Sequence, residues 1–440
     1  MPHAEPEHRS SLGLMLRLSA MMFLQYWSFG AWAVTVGTYI AANTGEEGAA
    51  IFSAGFIGYS SAAGAIGSLL SPAIVGILSD RYFSARRLLA VTQLGCAAAN
   101  WGMHQSRSEW TFLLWLLAYF HCLFPAIAMT NAIGLRNLRN SQAEYPVVRV
   151  AGTLGWIAAG LFVGMGWPWA TGVSIEATRI PLAIGAASSL LLAIFALALP
   201  ATPPPQRQPS MAITATSVSG GATGVGRPLA MFLIASVFAC LSSVAYNSYA
   251  NLYLNQRGFP NPAALMTMGQ VSDVVCLFAT PWLVARVGLR ALFAAGIAAW
   301  AVRYGLLAGG SRLAGDWPVY AAIVVHGPCF VFVFVVGVMI VDKLAGEAYR
   351  GVAQGLFTGA STGAGNLLGA FAMGLAQTRF LTPAGESPPP YRWSEFWLVP
   401  AAMSVAAGII YVSVWKSLRP RGEAQPAGER REAQGESSTV

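Results

Sequence analysis

Charge is what this 440-residue chain has least of: 26 basic and 18 acidic side chains make up 10% of it, where a soluble domain carries about 25%. So few charges cannot cover the surface of a water-soluble globule, which excludes a soluble enzyme. The deficit is also local. Between Leu18 and Ser79 the only formal charges are Glu46 and Glu47, leaving two apolar runs that are each long enough to cross a hydrocarbon core of about 30 Å. Cysteine is scarce as well. Cys96, Cys122, Cys240, Cys276 and Cys329 lie inside apolar segments without paired spacing, so neither a disulfide framework nor a zinc site is indicated, and no metal or cofactor is expected. A membrane-embedded enzyme would need a nucleophile beside a base, or paired acids. The apolar runs hold a single deep acid, Asp273, and no His/Asp cluster, so no enzyme is expected.

What the chain does have is apolar length. Hydrophobic residues make up 55% of it, and Gly, Pro and charge punctuation divides them into about twelve helices. The first six are expected near 15–40, 51–78, 87–105, 110–135, 147–167 and 180–199, and the second six near 229–255, 263–285, 290–309, 317–341, 350–377 and 394–415. The expected class is therefore an all-α polytopic membrane protein with two six-helix halves. In domains this gives a tail over 1–14, a first bundle over 15–200, a linker over 201–228, a second bundle over 229–416 and a disordered tail over 417–440. The linker holds Pro203, Pro204, Pro205 and Pro209 and then a Ser/Thr/Gly stretch, the composition of a flexible connector. The first apolar run outlasts a secretory h-region of roughly 7 to 15 residues and is expected to be a retained span.

The net charge of +8 reports topology rather than nucleic-acid binding, because the basic residues fall in short loops instead of on one patch. Eighteen Lys and Arg fall on one side of the expected spans and six on the other, while Arg149 and Arg303 fall within spans. That bias puts both termini in the cytoplasm of a multi-pass inner-membrane protein.

Polar residues inside the spans mark candidate contacts. In the fifth span Arg149, Thr153 and Trp156 share one helix face by their spacing, a face suited to a polar ring-shaped ligand. The alternative is that Arg149 snorkels to the interface and Thr153 bonds its own helix. In the eighth span Gln270 and Asp273 stand three residues apart. A carboxylate at that depth is costly unless paired, hydrated or protonated, so it is a functional candidate by default, or a structural partner of Arg303 or Arg149. Asn247 and Asn251 share a face of the seventh span, as ligand contacts or as helix-packing glue. His326 and Phe330 share a face of the tenth, with Gly327-Pro328 predicting a kink between them. His326 is read either as a satisfied buried histidine or as a proton carrier.

The loop from Gly76 through Asp80 and Arg81 to Arg86-Arg87 resembles the loop signature of the major facilitator superfamily. There Gly76 permits close helix approach, and Asp80 and Arg81 act as a conformational gate. Arg286-Val287-Gly288-Leu289-Arg290 is a weaker echo in the second half. Together with LQYWSFGAW (Gln25 to Trp32), Pro125, Thr130-Asn131, RVAGTLGW, GQVSD, HGPCF and RGVAQGLF (Arg350 to Phe357), the sequence resembles the nucleoside:proton symporter family of that superfamily. The resemblance implies that Arg149, Thr153, Gln270, Asn247 and Phe330 contact the substrate. Trp156 stands where phenylalanine is common, His326 where tyrosine is also found and Asp273 where glutamate is usual. Val244 occupies a position that can be glutamine, and Val331 one where the family has aspartate. Proton coupling would therefore pass through Asp273 or His326, or be absent.

The chemistry of the residues suits a nucleoside. Trp156 and Phe330 can stack on a base, Gln270, Asn247 and Arg149 can bond its edges, and Asp273 can accept from ribose hydroxyls. A salt bridge between Arg149 and Asp273, from opposite halves, direct or through the substrate, would favour closure. The expectation is a monomer in a lipid bilayer that imports nucleosides with protons by alternating access. The rival readings are an uncoupled facilitator, a permease for another polar solute such as a sugar, and a transport-inactive sensor.

Overall fold

The computed structural model describes residues 10–44, 51–81, 84–202, 226–310, 315–345, 350–381 and 392–414, apart from the side chains of 70–81, 141–143, 350 and 351. Most of the expected linker, the tail over 417–440, much of the N-terminal tail, and the side chains of Gly76, Asp80 and Arg81 lie outside the described residues.

The described residues form twelve spans in two halves. The first is Leu12–Ala33, extended by Val36–Ala42; the second Phe56–Arg81; the third Ala85–Gln105; the fourth Glu109–Asn137. The fifth runs from Ser141–Leu161 through the π-helical turn Phe162–Gly166 to Trp167–Thr171, and the sixth is Ile180–Leu197. In the second half, the seventh comprises Arg227–Cys240 and Ser243–Gln256, and the eighth and ninth share the stretch Pro262–Gly309. The tenth comprises Trp317–Val324, His326–Phe330, a π-helical Val331–Val335 and Val336–Ala345. The eleventh comprises Arg350–Thr358, a π-helical Gly359–Gly365 and Asn366–Phe380; the twelfth is Trp393–Val414.

Local chemistry explains these boundaries. Ser11 and Ser108 cap the first and fourth spans by accepting from Leu14 N and Thr111 N, each at 3.3 Å, which satisfies amides that have no partner inside the helix. Pro181, Pro228, Pro262 and Pro318 sit in first turns, where a missing N–H costs nothing. Gly288, at φ 78° and ψ 161°, turns the chain between the eighth and ninth spans with a backbone angle that L side chains rarely adopt.

The expected spans at 15–40 and 229–255 are not continuous: the helix breaks at Val34-Thr35 and at Leu241-Ser242. In both places a hydroxyl takes a helix carbonyl. Thr35 Oγ1 donates to Trp32 O at 3.2 Å, and Ser243 Oγ to Cys240 O at 2.8 Å, offering the backbone an alternative to the regular ladder. Large apolar side chains such as Leu190, Leu191, Ile194, Val275 and Phe278 stay exposed on outer faces, as bilayer contact requires. Among the described residues, seven helical stretches are long and apolar enough to cross a membrane by length and composition alone.

Where the halves meet, their hydrogen bonds among the described residues lie between mid-span and the ends opposite the chain termini. Thr38 Oγ1 donates to Asn251 Oδ1 at 2.5 Å, the Ser61 and Ser248 hydroxyls are 2.7 Å apart, and Ser68 Oγ donates to Thr362 O at 3.1 Å. Close approach there depends on Gly58 and Gly374. A Cβ on Gly58 would stand 2.6 Å from Gly374 Cα and 2.9 Å from Ala370 O, against backbone that cannot swing aside. Gly58→Leu is expected to destabilise this closed arrangement by about 1–3 kcal/mol, the usual overpacking cost. A cysteine introduced by Ala62→Cys between the halves should then react about ten- to hundredfold faster with an impermeant maleimide; an unchanged rate would mean that the contact does not govern closure.

Candidate functional site

The first half presents its candidates on the fifth span, against the first. Arg149 is half-buried, its Cζ 4.3 Å from the centroid of the Tyr26 ring. This holds the guanidinium by its face and leaves its edge N–H groups available. Two turns along, Trp156 meets Phe29 edge-on, with centroids 5.2 Å apart and planes at 79°. Thr153 between them is half-buried, and its hydroxyl makes no hydrogen bond among the described residues. The alternative in which it bonds its own helix is not what the structure holds. The direct form of the salt bridge from Arg149 to Asp273 is not formed: Arg149 lies on Tyr26, and Asp273 has a partner in its own half.

In the second half the two asparagines of the seventh span separate. Asn251 is buried and works as glue: it accepts from Thr38 and donates from Nδ2 to Glu176 Oε2 at 2.8 Å. Asn247, one turn nearer the middle of the span, stays exposed. On the eighth span Gln270 is half-buried, and the Asp273 side chain is 20% exposed, with no partner for Oδ1 among the described residues. His326 brings Nε2 to 3.5 Å from Asp273 Oδ2, while its Nδ1 lies 2.8 Å from Arg303 Nη2. A guanidinium can only donate, so Nδ1 accepts, and the ring proton of a neutral His326 sits on Nε2, on the Asp273 side. Phe330, 44% exposed, lies parallel to the His326 ring with centroids 6.0 Å apart. The expected kink is present: the tenth span breaks at Val325, and after Pro328 it passes into the π-helical turn Val331–Val335.

Two positions where the resemblance allows polar residues are core here. Val331 is 2% exposed and packs inside the second half; Val244 is 5% exposed and touches Ala62 and Ala370 between the halves. Arg303 and Glu176 are the residues that sequence reasoning left out of the site. Arg303 carried a signal, a charge inside a span. Glu176 carried none, standing in the short connection between the fifth and sixth spans. It is 1% exposed and accepts from Asn251 Nδ2, from Asn255 Nδ2 at 3.0 Å and from the backbone N–H of Ala263 at 3.0 Å.

The described candidates thus lie on both halves, which meet through hydrogen bonds among the described residues. The sequence profile of the family described as Nucleoside H+ symporter matches residues 12–419. The chain belongs to that family. As a member of the nucleoside H+ symporters it is a polytopic membrane transporter and not an enzyme. It is 33% identical to the "Putative nucleoside transporter YegT" of Escherichia coli, over 90% of this chain and 92% of that protein. It is also 26% identical to the "Nucleoside permease NupG" of Escherichia coli, over 92% and 96%. A crystal structure of the nucleoside transporter NupG superposes with a TM-score of 0.81 at 24% identity, covering 91% of this chain and 99% of that one. A peptide transporter, POT, shares the fold at a TM-score of 0.72 and 13% identity.

Proposed function

We propose that this protein imports nucleosides together with protons across the inner membrane, by rocking its two halves around a midplane site. Membership of the nucleoside H+ symporter family is the observation that carries this reading; relatives named as a nucleoside permease and a xanthosine permease support the substrate class. Both termini are assigned to the cytoplasm by the eighteen-to-six excess of basic residues. On that assignment the sealed side is external, and the described conformation is closed to the outside. Arg149, Thr153 and Trp156 would receive the substrate from one half and Asn247, Gln270, Asp273, His326 and Phe330 from the other. Trp156 and Phe330 stack on the base, and Asp273 accepts from the ribose hydroxyls. Asn247 and the seal residue Asn251 share one helix, so a substrate that pulls on Asn247 also loads the closure one turn away. Asp80 and Arg81, at the end of the second span beyond Gly76, would act as the opposite gate. The working unit is taken to be a monomer.

The test is uptake of labelled uridine and adenosine into proteoliposomes, with and without an inward proton gradient. Accumulation with the gradient and equilibration without it are expected. Equilibration in both conditions would leave an uncoupled facilitator, and no saturable flux would discard the substrate class. Competition by free ribose, nucleobase and nucleoside separates nucleoside from sugar recognition.

A further inference from the structure

The second half contains a charge that the substrate does not need to touch. Arg303 is fully buried, at 0% exposure, and is held on several sides. Its Nε donates to Ala322 O at 3.0 Å and its Nη2 to His326 Nδ1 at 2.8 Å, while Cζ lies 3.3 Å from the centroid of the Tyr246 ring. Burying a permanent cation in a membrane bundle is costly, and the fold does not require one here. The two halves repeat each other. Arg87 near the start of the third span matches Arg290 near the start of the ninth, and Glu109-Trp110 at the start of the fourth matches Asp316-Trp317 at the tenth. Counted from those markers, Asn100 falls at the place of Arg303 and Tyr119 at the place of His326. Asn100 and Tyr119 are likewise fully buried. One half therefore packs with a neutral amide and phenol where the other keeps a guanidinium and an imidazole.

We propose that Arg303 is the positioning residue for proton coupling: it pins the His326 ring through Nδ1 so that Nε2–H faces Asp273, and Asp273 carries the transported proton. The proposal rests on the reading of the chain as a proton-coupled nucleoside transporter. His326 is excluded as the carrier because the lone pair that would take a second proton already accepts from Arg303. Among the described residues Asp273 Oδ1 has no partner, whereas Oδ2 lies on the His326 side. Loading is the transfer of a proton from cavity water to the carboxylate, with no covalent change elsewhere. It takes the Arg303, His326 and Asp273 cluster from net zero to one positive charge, which gives the loaded and unloaded states different preferences for opening. The Tyr246 phenol and the Cys276 and Cys329 thiols complete the titratable surroundings of Asp273. No carboxylate at 331 is needed, and the buried Val331 is simply core.

The full-length chain in proteoliposomes tests this with two assays, pH-gradient-driven uridine accumulation and uridine counterflow, which exchanges substrate without net proton movement. Arg303→Gln should lower accumulation at least about tenfold while counterflow falls by no more than about threefold. Arg303→Lys, which restores a donor and a charge, should recover accumulation in part. Wild-type accumulation by Arg303→Gln would overturn the proposal. So would parallel loss of both assays in both variants when size-exclusion profiles show folded protein, since that marks packing alone. Wild-type protein that exchanges uridine but never accumulates it would overturn the proposal and leave transport standing. Wild-type protein that does neither would overturn the nucleoside reading itself.

Discussion

Asp273→Asn protein should equilibrate labelled uridine across proteoliposome membranes but no longer accumulate it under an inward proton gradient. The amide keeps the shape of the carboxylate and one acceptor oxygen, so the packing around His326 survives. What it loses is the negative charge and the site for a proton. A hydrogen bond to a charged acceptor is worth about 1.5–3 kcal/mol and one to a neutral acceptor about 0.5–1.5, so weaker ribose binding should raise the Kd for uridine by about five- to twelvefold. The buried Arg303 would also lose its counter-charge, since the remaining link through His326 ends on a neutral group. Calorimetry measures the binding loss and gradient-driven uptake measures the coupling loss. Full accumulation by the variant would remove Asp273 from the mechanism.

Glu176→Ala should open the sealed side. The carboxylate accepts from Asn251, Asn255 and the Ala263 N–H, joining the connection between the fifth and sixth spans to the seventh and eighth. Removing it leaves the Asn251 amide and the Ala263 N–H without this acceptor, while Asn255 Nδ2 keeps Asn251 O and Oδ1. At about 1 kcal/mol for each of the two, the closed state loses on the order of 2 kcal/mol, a shift of about thirtyfold in the ratio of closed to open molecules. Spin labels at the exposed positions Val173 and Pro260 should report a longer, broader distance distribution in the variant. Glu176→Gln should fall between the two, because an amide can accept at one end only while its NH2 end faces donors. An unchanged distance distribution in Glu176→Ala would show that the carboxylate is not what holds the halves together.

The two variants separate tasks that the seventh span connects. Asn251 belongs to the seal, and Asn247, one turn away, is proposed to meet the substrate. Loss of Glu176 should therefore bias the resting conformation while leaving the chemistry around Asp273 intact. Loss of the Asp273 charge should leave the seal intact and remove coupling.

Much of the molecule was already decided by the order of its residues. Long apolar runs must form helices across a bilayer, because no water is present to satisfy open backbone, so the number and order of the spans followed from hydrophobicity and punctuation. A carboxylate at depth is expensive wherever its neighbours lie, which is why Asp273 stood out before any partner was known. The break around Gly327-Pro328 followed from an imino nitrogen without a proton. Tertiary structure alone decided the partners. Arg303, His326 and Asp273 come from three different spans, and nothing local to any of them states that the imidazole lies between the two charges. Asn247 and Asn251 present the same residue type on the same face, yet one is bound by Glu176 and Thr38 and the other left open, because only the packing of the halves determines where the contact ends. Val244 read as a missing polar contact and Val331 as a missing coupling acid, and the fold put both in apolar surroundings. Periodicity assigns a residue to a face of its own helix; what that face meets depends on helices far away in sequence, and it is there that a charge is paired, a hydroxyl left open or a seal made.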